Sequence, residues 1–147
     1  MPNDPLIEAA WGAWSRAYAP YSGFAVGAAV QTWDGMIFPG CNVENASYGL
    51  TLCAERCALA AALAAGHRRF RRLVVVADTS PLTPPCGACR QWLWELARDA
   101  EVLGVNRLGI QRRWSVIELL PDAFDQQLLQ QANRDAGPSP LTDDVTT

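Results

Sequence analysis

Leu73-Val74-Val75-Val76-Ala77 is an unbroken apolar run, and a strand without polar alternation has to be covered on both faces. A loop rich in proline (Pro81, Pro84, Pro85) follows and delivers Cys86 and Cys89 to the first turn of a helix that runs to about Arg98. Glu101 to Val105 reads as the next strand. Strand, helix and strand in that order imply a right-handed parallel crossover, and therefore an α/β protein. Between Val105 and Ile110 there is room only for a short turn, Asn106 to Gly109, so the last strand, roughly Ile110 to Trp114, should return antiparallel. Ser115 and Glu118 form a capping box for a short helical turn before Pro121.

Working back toward the start, Cys53 to Ala65 reads as a helix, with six Ala among residues 58 to 65 and Gly66 as its stop. Narrow and apolar almost all round, it should be buried centrally or press against another subunit. Upstream, Phe24, Val26, Ala28 and Val30 share one face of a strand, with the small residues Ala25, Gly27 and Ala29 on the other, against which something packs closely. Asp34-Gly35 is a two-residue hairpin signal, and Pro39-Gly40 predicts a bulge in the returning strand. Asp4 followed by Pro5 starts the first helix, which the spacing of Leu6, Ala10, Trp14 and Tyr18 carries to about Ala19, with Pro20 as its stop.

The length, 147 residues, suits one domain over 1–133, with a polar, mobile tail expected over 134–147. A net charge of -3 and half the residues hydrophobic exclude a disordered chain or a broad polyanion binder. Five Cys and no cationic-then-apolar start point to a cytoplasmic protein that uses thiols for metal or redox chemistry, with no membrane partner. The run His67-Arg68-Arg69-Phe70-Arg71-Arg72 is read as solvated charge after a helix end rather than a nucleic-acid surface, with His67, the single histidine, solvated too.

The chemistry sits in Cys53-Ala54-Glu55-Arg56 and Pro85-Cys86-Gly87-Ala88-Cys89-Arg90-Gln91. Three thiols at this spacing can close three corners of a zinc tetrahedron, where a structural site would use four protein ligands. The remaining corner suits a water, and Glu55, two residues after the first thiol, suits a proton shuttle with a pKa raised by the anionic metal core. Placing Cys53, Cys86 and Cys89 at helix N-termini favours thiolates, and Arg56, three residues after Cys53, together with Arg90, next to Cys89, can offset their charge. Asn42 and Glu44, two apart on an extended segment, face the same way and can hydrogen-bond adjacent hydroxyls of one small ligand.

From Tyr21 to Phe124 the chain resembles the small homotetrameric cytidine deaminases. The blocks that carry the resemblance are Phe24-Ala25-Val26-Gly27-Ala28-Ala29, Cys41-Asn42-Val43-Glu44-Asn45-Ala46-Ser47-Tyr48-Gly49, the two thiol blocks, and Leu119-Leu120-Pro121-Asp122-Ala123-Phe124. The split thiol-and-glutamate pattern is also the general signature of zinc-dependent base deaminases. The resemblance implies a three-layer α/β/α fold on a five-stranded mixed sheet. It implies Zn²⁺ on Cys53, Cys86 and Cys89, with Glu55 as acid and base. Asn42 and Glu44 would hold a ribose, Phe24 would lie against the nucleoside, and the backbone at Ala54 would meet the base. Tyr48 and Phe124 would reach into sites shared between subunits. Nucleic-acid-editing relatives insert a helix before the last strand, for which Asn106 to Gly109 leaves no room, so a free nucleoside is the expected substrate. The activity implied is hydrolytic deamination of cytidine and 2′-deoxycytidine in pyrimidine salvage. The competing readings are deamination of a modified nucleoside or nucleoside antibiotic, a non-enzymatic zinc-stabilised domain, and a metal-free redox dithiol at Cys86 and Cys89.

Overall fold

The computed structural model of the protein describes residues 3–136. Its centre is β3 (Phe70–Ala77), the apolar run of the sequence, which pairs antiparallel with β1 (Val26–Thr32) and parallel with β4 (Glu101–Asn106). Antiparallel edge strands complete a mixed sheet, β2 (Ile37–Cys41) beyond β1 and β5 (Gln111–Ser115) beyond β4, in the order β2-β1-β3-β4-β5. Side chains alternate across the strands, so β3 sends Leu73 to one core and Val74 and Val76 to the other. The first core packs against α2 (Ala54–Ala64) and α3 (Gly87–Leu96), the second against α1 (Pro5–Trp14). The expected three-layer α/β/α arrangement with an antiparallel last strand is what the chain adopts.

Close approach explains the small residues of the first hairpin. A Cβ on Gly27 would stand 2.7 Å from the Trp14 backbone nitrogen, so α1 lies almost on the strand. On the other face, a Cβ on Gly40 would lie 2.6 Å from the Ala54 carbonyl oxygen, which brings α2 down on β2. No bulge forms at Pro39-Gly40, because the register from Gly27 opposite Cys41 to Gln31 opposite Ile37 is unbroken. Pro39 is tolerated since β2 is an edge strand, and Gly40 serves the helix contact instead. Among the described residues, no helix is long and apolar enough to cross a membrane.

Three further expectations are corrected. The first helix ends at Trp14 rather than Ala19, because Tyr18 leaves the helical path to exchange backbone hydrogen bonds with Asn42 and Glu44. His67 is not solvated; its side chain is half-buried and packs on Phe38, with the Asp34 carboxylate 3.8 Å away. After the short capped helix α4 (Val116–Leu119), where Ser115 accepts the Glu118 N–H, comes a helix absent from the sequence expectations, α5 (Gln126–Asp135), which starts from an Asp125 side chain that accepts the Leu128 N–H and takes in Arg134 and Asp135. The expected mobile tail otherwise lies, from residue 137 on, outside the described residues. Arg68 behaves as the basic run predicts, donating to the Leu63 and His67 carbonyls at the end of α2.

Asp4 does two tasks at the start of α1. One oxygen accepts the Leu6 N–H at 2.9 Å as an N-cap, and the carboxylate receives both terminal nitrogens of Arg72, at 2.8 and 3.0 Å. The Arg72 hydrogen bonds hold its pKa below the ordinary carboxylate value. A depressed pKa contributes stability that is present above the unfolded value near ~3.9 and lost as pH falls through the folded value. Asp4→Asn keeps a capping oxygen but loses the charge, and should therefore cost up to ~1 kcal/mol at pH 7. Urea unfolding of both proteins at pH 7 and near pH 3 checks this: the gap narrows on acidification, and a gap independent of pH would refute the ion pair's contribution.

Candidate active site

Two helices begin at the same place beyond the carboxyl ends of β3 and β4. Cys53 is the N-cap residue of α2 and Cys86 that of α3, both extended in backbone, and Cys89 lies one turn into α3. Their three Sγ atoms lie within 4.8 Å of one another, with Cys53 and Cys86 at 3.5 Å. Tetrahedral zinc with Zn–S bonds near 2.3 Å requires sulfurs roughly 3.8 Å apart, so the trio fits that ion. Among the described residues, no fourth His, Cys, Asp or Glu donor joins the group. Three ligands are a catalytic rather than a closed structural complement.

Charge arrangement fits a cation as well. The Cys89 thiol, followed by Arg56, pulls the Cys53 pKa down to about 5, while the interaction with Cys53 and burial push the Cys89 thiol up. One thiolate thus makes a second one costly until a positive ion arrives. Arg56 supplies part of that charge, donating to Cys53 Sγ and to the Thr51 carbonyl, each at 3.3 Å. Arg90 does not join it. Its guanidinium donates to the carbonyls of Pro85 at 2.8 Å and Leu119 at 3.0 Å, where it ties α3 to its neighbours.

Glu55, on the first turn of α2, is 4% exposed, and its Oε2 accepts from Cys89 Sγ at 3.4 Å. Its pKa is raised, as the sequence predicts, but burial is the main cause and the Cys53 charge a lesser one. The carboxylate borders a cavity of about 200 Å³ whose walls include Phe24, Asn42, Ala54, Thr83 and Pro84. Thr51 also lines an adjoining cleft of about 390 Å³ with Tyr21, Ser22, Glu44 and Tyr48. The smaller space alone falls short of the ~300 Å³ at which small-molecule sites begin, so a ligand of nucleoside size would extend into the cleft.

The two polar residues expected to hold a ligand are already partly engaged. Asn42 accepts the Val26 N–H at 2.9 Å and donates to the Phe24 carbonyl at 2.7 Å, which fixes Phe24 in the irregular segment just ahead of β1 rather than on the strand face the sequence suggests. Glu44 accepts from the backbone N–H groups of Tyr21 and Ser22, each at 3.0 Å, and from the Ser22 hydroxyl. An amide has two donors and two acceptor sites, and a carboxylate about four, so each residue keeps hydrogen-bonding capacity. Tyr48 reaches the cleft of its own chain, edge-on to Tyr21. Phe124 does not line either space; Gln91 Nε2 holds its carbonyl at 2.8 Å, and its side chain is exposed. Sequence reasoning missed Ser22, Thr51, Thr83 and Pro84. Thr51 stands two residues before Cys53, and Thr83 and Pro84 immediately precede Pro85-Cys86, so proximity to the thiols was the available signal.

Residues 3–105 match the family described as the cytidine and deoxycytidylate deaminase zinc-binding region. The chain belongs to the cytidine deaminase family. Among similar members, a cytidine deaminase of Halalkalibacterium halodurans is 50% identical over 125 residues, 84% of this chain and 95% of its own. A probable cytidine deaminase of Dictyostelium discoideum is 44% identical over 134 residues, 90% of each chain. The crystal structure of cytidine deaminase from Burkholderia pseudomallei shares 55% identity with a TM-score of 0.80, covering 84% of this chain and all of that one. That from Mycobacterium tuberculosis shares 41% identity with a TM-score of 0.71, covering 82% and 95%. Zn²⁺ is accordingly the cofactor of this cytidine deaminase family member, and the cysteine trio is the donor set that suits it. Removing one sulfur should release the ion: Cys86→Ser is expected to retain at least ~10-fold less zinc after dialysis against a weak chelator. Elemental analysis reads the result, and an unchanged zinc content would contradict the ligand assignment.

Proposed function

We propose that the protein hydrolyses cytidine and 2′-deoxycytidine to uridine and 2′-deoxyuridine with release of ammonia, in pyrimidine salvage. The observation that carries this reading is the buried Glu55 carboxylate against a three-sulfur cluster at the edge of a cavity that adjoins a cleft bearing Ser22, Glu44 and Thr51. Cys53, Cys86 and Cys89 hold the zinc. When bound, the ion supplies Lewis acidity that brings the pKa of a water toward neutrality.

Glu55 moves the protons. It takes one from the water whose oxygen bonds to C4 of the pyrimidine and passes it to the adjacent ring nitrogen. It then carries the proton of the new C4 hydroxyl to the amino group, so that the C4–N bond breaks, the C4 carbonyl forms and ammonia leaves, with the carboxylate restored. Burial assists, since the raised pKa makes the carboxylate a better proton acceptor and brings it nearer the working pH, where one group can both take and give a proton, and bulk water is kept away. Phe24 lies against the nucleoside, and the Ala54 backbone at the start of α2 meets the base. The N–H left free on Asn42 and the acceptor capacity left on Glu44 face the ribose hydroxyls, with Ser22 holding the Glu44 carboxylate for that task.

The remaining parts of the reading concern assembly and place. Tyr48 and Phe124, both exposed in the single chain, contribute to sites shared between subunits of a homotetramer. The substrate is a free nucleoside, without nucleic-acid or membrane partners, and the enzyme works in the cytoplasm as a single domain over residues 1–133. Assay of zinc-quantified protein against cytidine, 2′-deoxycytidine, cytosine and adenosine tests the substrate, with turnover expected for the first two; zinc-loaded protein inert toward both would refute it. Glu55→Gln should keep its zinc and lose at least ~100-fold in kcat, the worth of a positioned acid and base. Near-normal turnover in that variant would remove Glu55 from the mechanism.

A further inference from the structure

Asn106 closes β4 with a side-chain amide that is 2% exposed and stands outside the cavity lining. Its two ends go to different parts of the chain. Oδ1 accepts the Ile110 N–H at 3.0 Å across the turn into β5, and Nδ2 donates to the Ser80 carbonyl at 2.8 Å. The turn does not depend on the side chain for closure, because Asn106 N–H reaches the Ile110 carbonyl at 3.2 Å and Gly109 N–H the Asn106 carbonyl at 3.1 Å. What an amide adds at this position is therefore the donor to Ser80.

Ser80 belongs to residues 78–85, a segment in neither strand nor helix that puts Thr83 and Pro84 into the cavity wall and leads into Cys86. Its other ties are of a different kind. Thr79 Oγ1 bonds within the segment, to Pro81 and Thr83, and Arg90 joins Pro85 to α3 rather than to the sheet. The Arg107–Asp78 ion pair at 3.0 Å does link the segment to the β4–β5 turn, but both side chains are about half exposed and screened by solvent. The Asn106–Ser80 hydrogen bond is part-buried: Ser80 is exposed, but the Asn106 amide is closed off from solvent, so breaking the bond strands a buried donor. We infer that Asn106 is a positioning residue for the metal loop: by holding the Ser80 carbonyl it fixes the Cys86 sulfur and the Thr83-Pro84 wall relative to Cys53. This rests on the zinc deaminase reading above.

Asn106→Asp keeps the acceptor for Ile110 and removes the donor to Ser80, so it separates the two duties. On zinc-loaded proteins, release of the ion to a chromogenic chelator should be ~10–100-fold faster in the variant, the usual effect of losing a group that supports a ligand. The ligand-field spectrum of the Co²⁺-substituted variant should shift, and KM for cytidine should rise more than kcat falls, since Glu55 stands on α2, which the loop does not carry. A variant that melts at lower temperature but releases zinc at the wild-type rate and keeps the Co²⁺ spectrum would overturn the inference, leaving Asn106 as a turn staple. If Asn106→Asp does not accumulate as folded protein, the uncharged Asn106→Ser takes its place under the same criteria. Wild-type protein that binds no zinc would overturn the deaminase reading and this inference together, whereas wild-type zinc binding and turnover with an unaltered variant would overturn this inference alone.

Discussion

Everything in the site depends on two helix N-termini meeting at one point. Each brings roughly half a positive charge and a set of unpaired N–H groups, and each begins with a cysteine in its cap position. Neither cap side chain accepts a backbone N–H of its own helix, which leaves both sulfurs free to turn toward each other. The meeting point is set by the sheet: α2 leads into β3, α3 leads out of it toward β4, and those strands run parallel, so the loop after β3 and the start of α2 arrive at the same end. A redox dithiol would need Cys86 and Cys89 alone. The convergence of a third sulfur, an arginine and a buried carboxylate is what distinguishes a metal centre.

Burial decides the behaviour of Glu55 more than its charged neighbours do. Local sequence could place a carboxylate two residues after a thiol, but it could not show that the sheet, α3 and the cavity wall would close over it. The same holds for Asn42 and Glu44. Their spacing announces that they face one way, yet much of their hydrogen-bonding capacity serves Val26, Phe24, Tyr21 and Ser22. They are scaffold residues as well as lining residues of the cavity and the cleft, and loss of either would disturb the wall that carries Phe24.

The order and type of the sheet elements were legible because each had a local signature: the apolar run at Leu73 to Ala77, the Asp34-Gly35 turn, the short link before the last strand. What escaped had non-local causes. Tyr18 sits at perfect helical spacing, but its backbone is claimed by Asn42 and Glu44, more than twenty residues away. Gly40 looked like a bulge beside proline, whereas its reason is a helix that had not yet appeared in the sequence. α5 escaped because its large apolar side chains are confined to Leu128 and Leu129, neither of which is buried in the single chain. Thr83 and Pro84 escaped because loop residues carry no periodicity to interpret.

The contact at Gly40 divides the pocket into a stiff half and an adjustable half. Backbone rests on backbone there, with no side chain between β2 and α2 to shorten or lengthen, so the floor that bears Cys53, Ala54 and Glu55 has no slack to exploit. The opposite wall, Thr83 and Pro84, hangs on an irregular loop with few anchors. Divergence in what the cavity accepts would accordingly accumulate along that loop, while the floor stays constant from one descendant to the next.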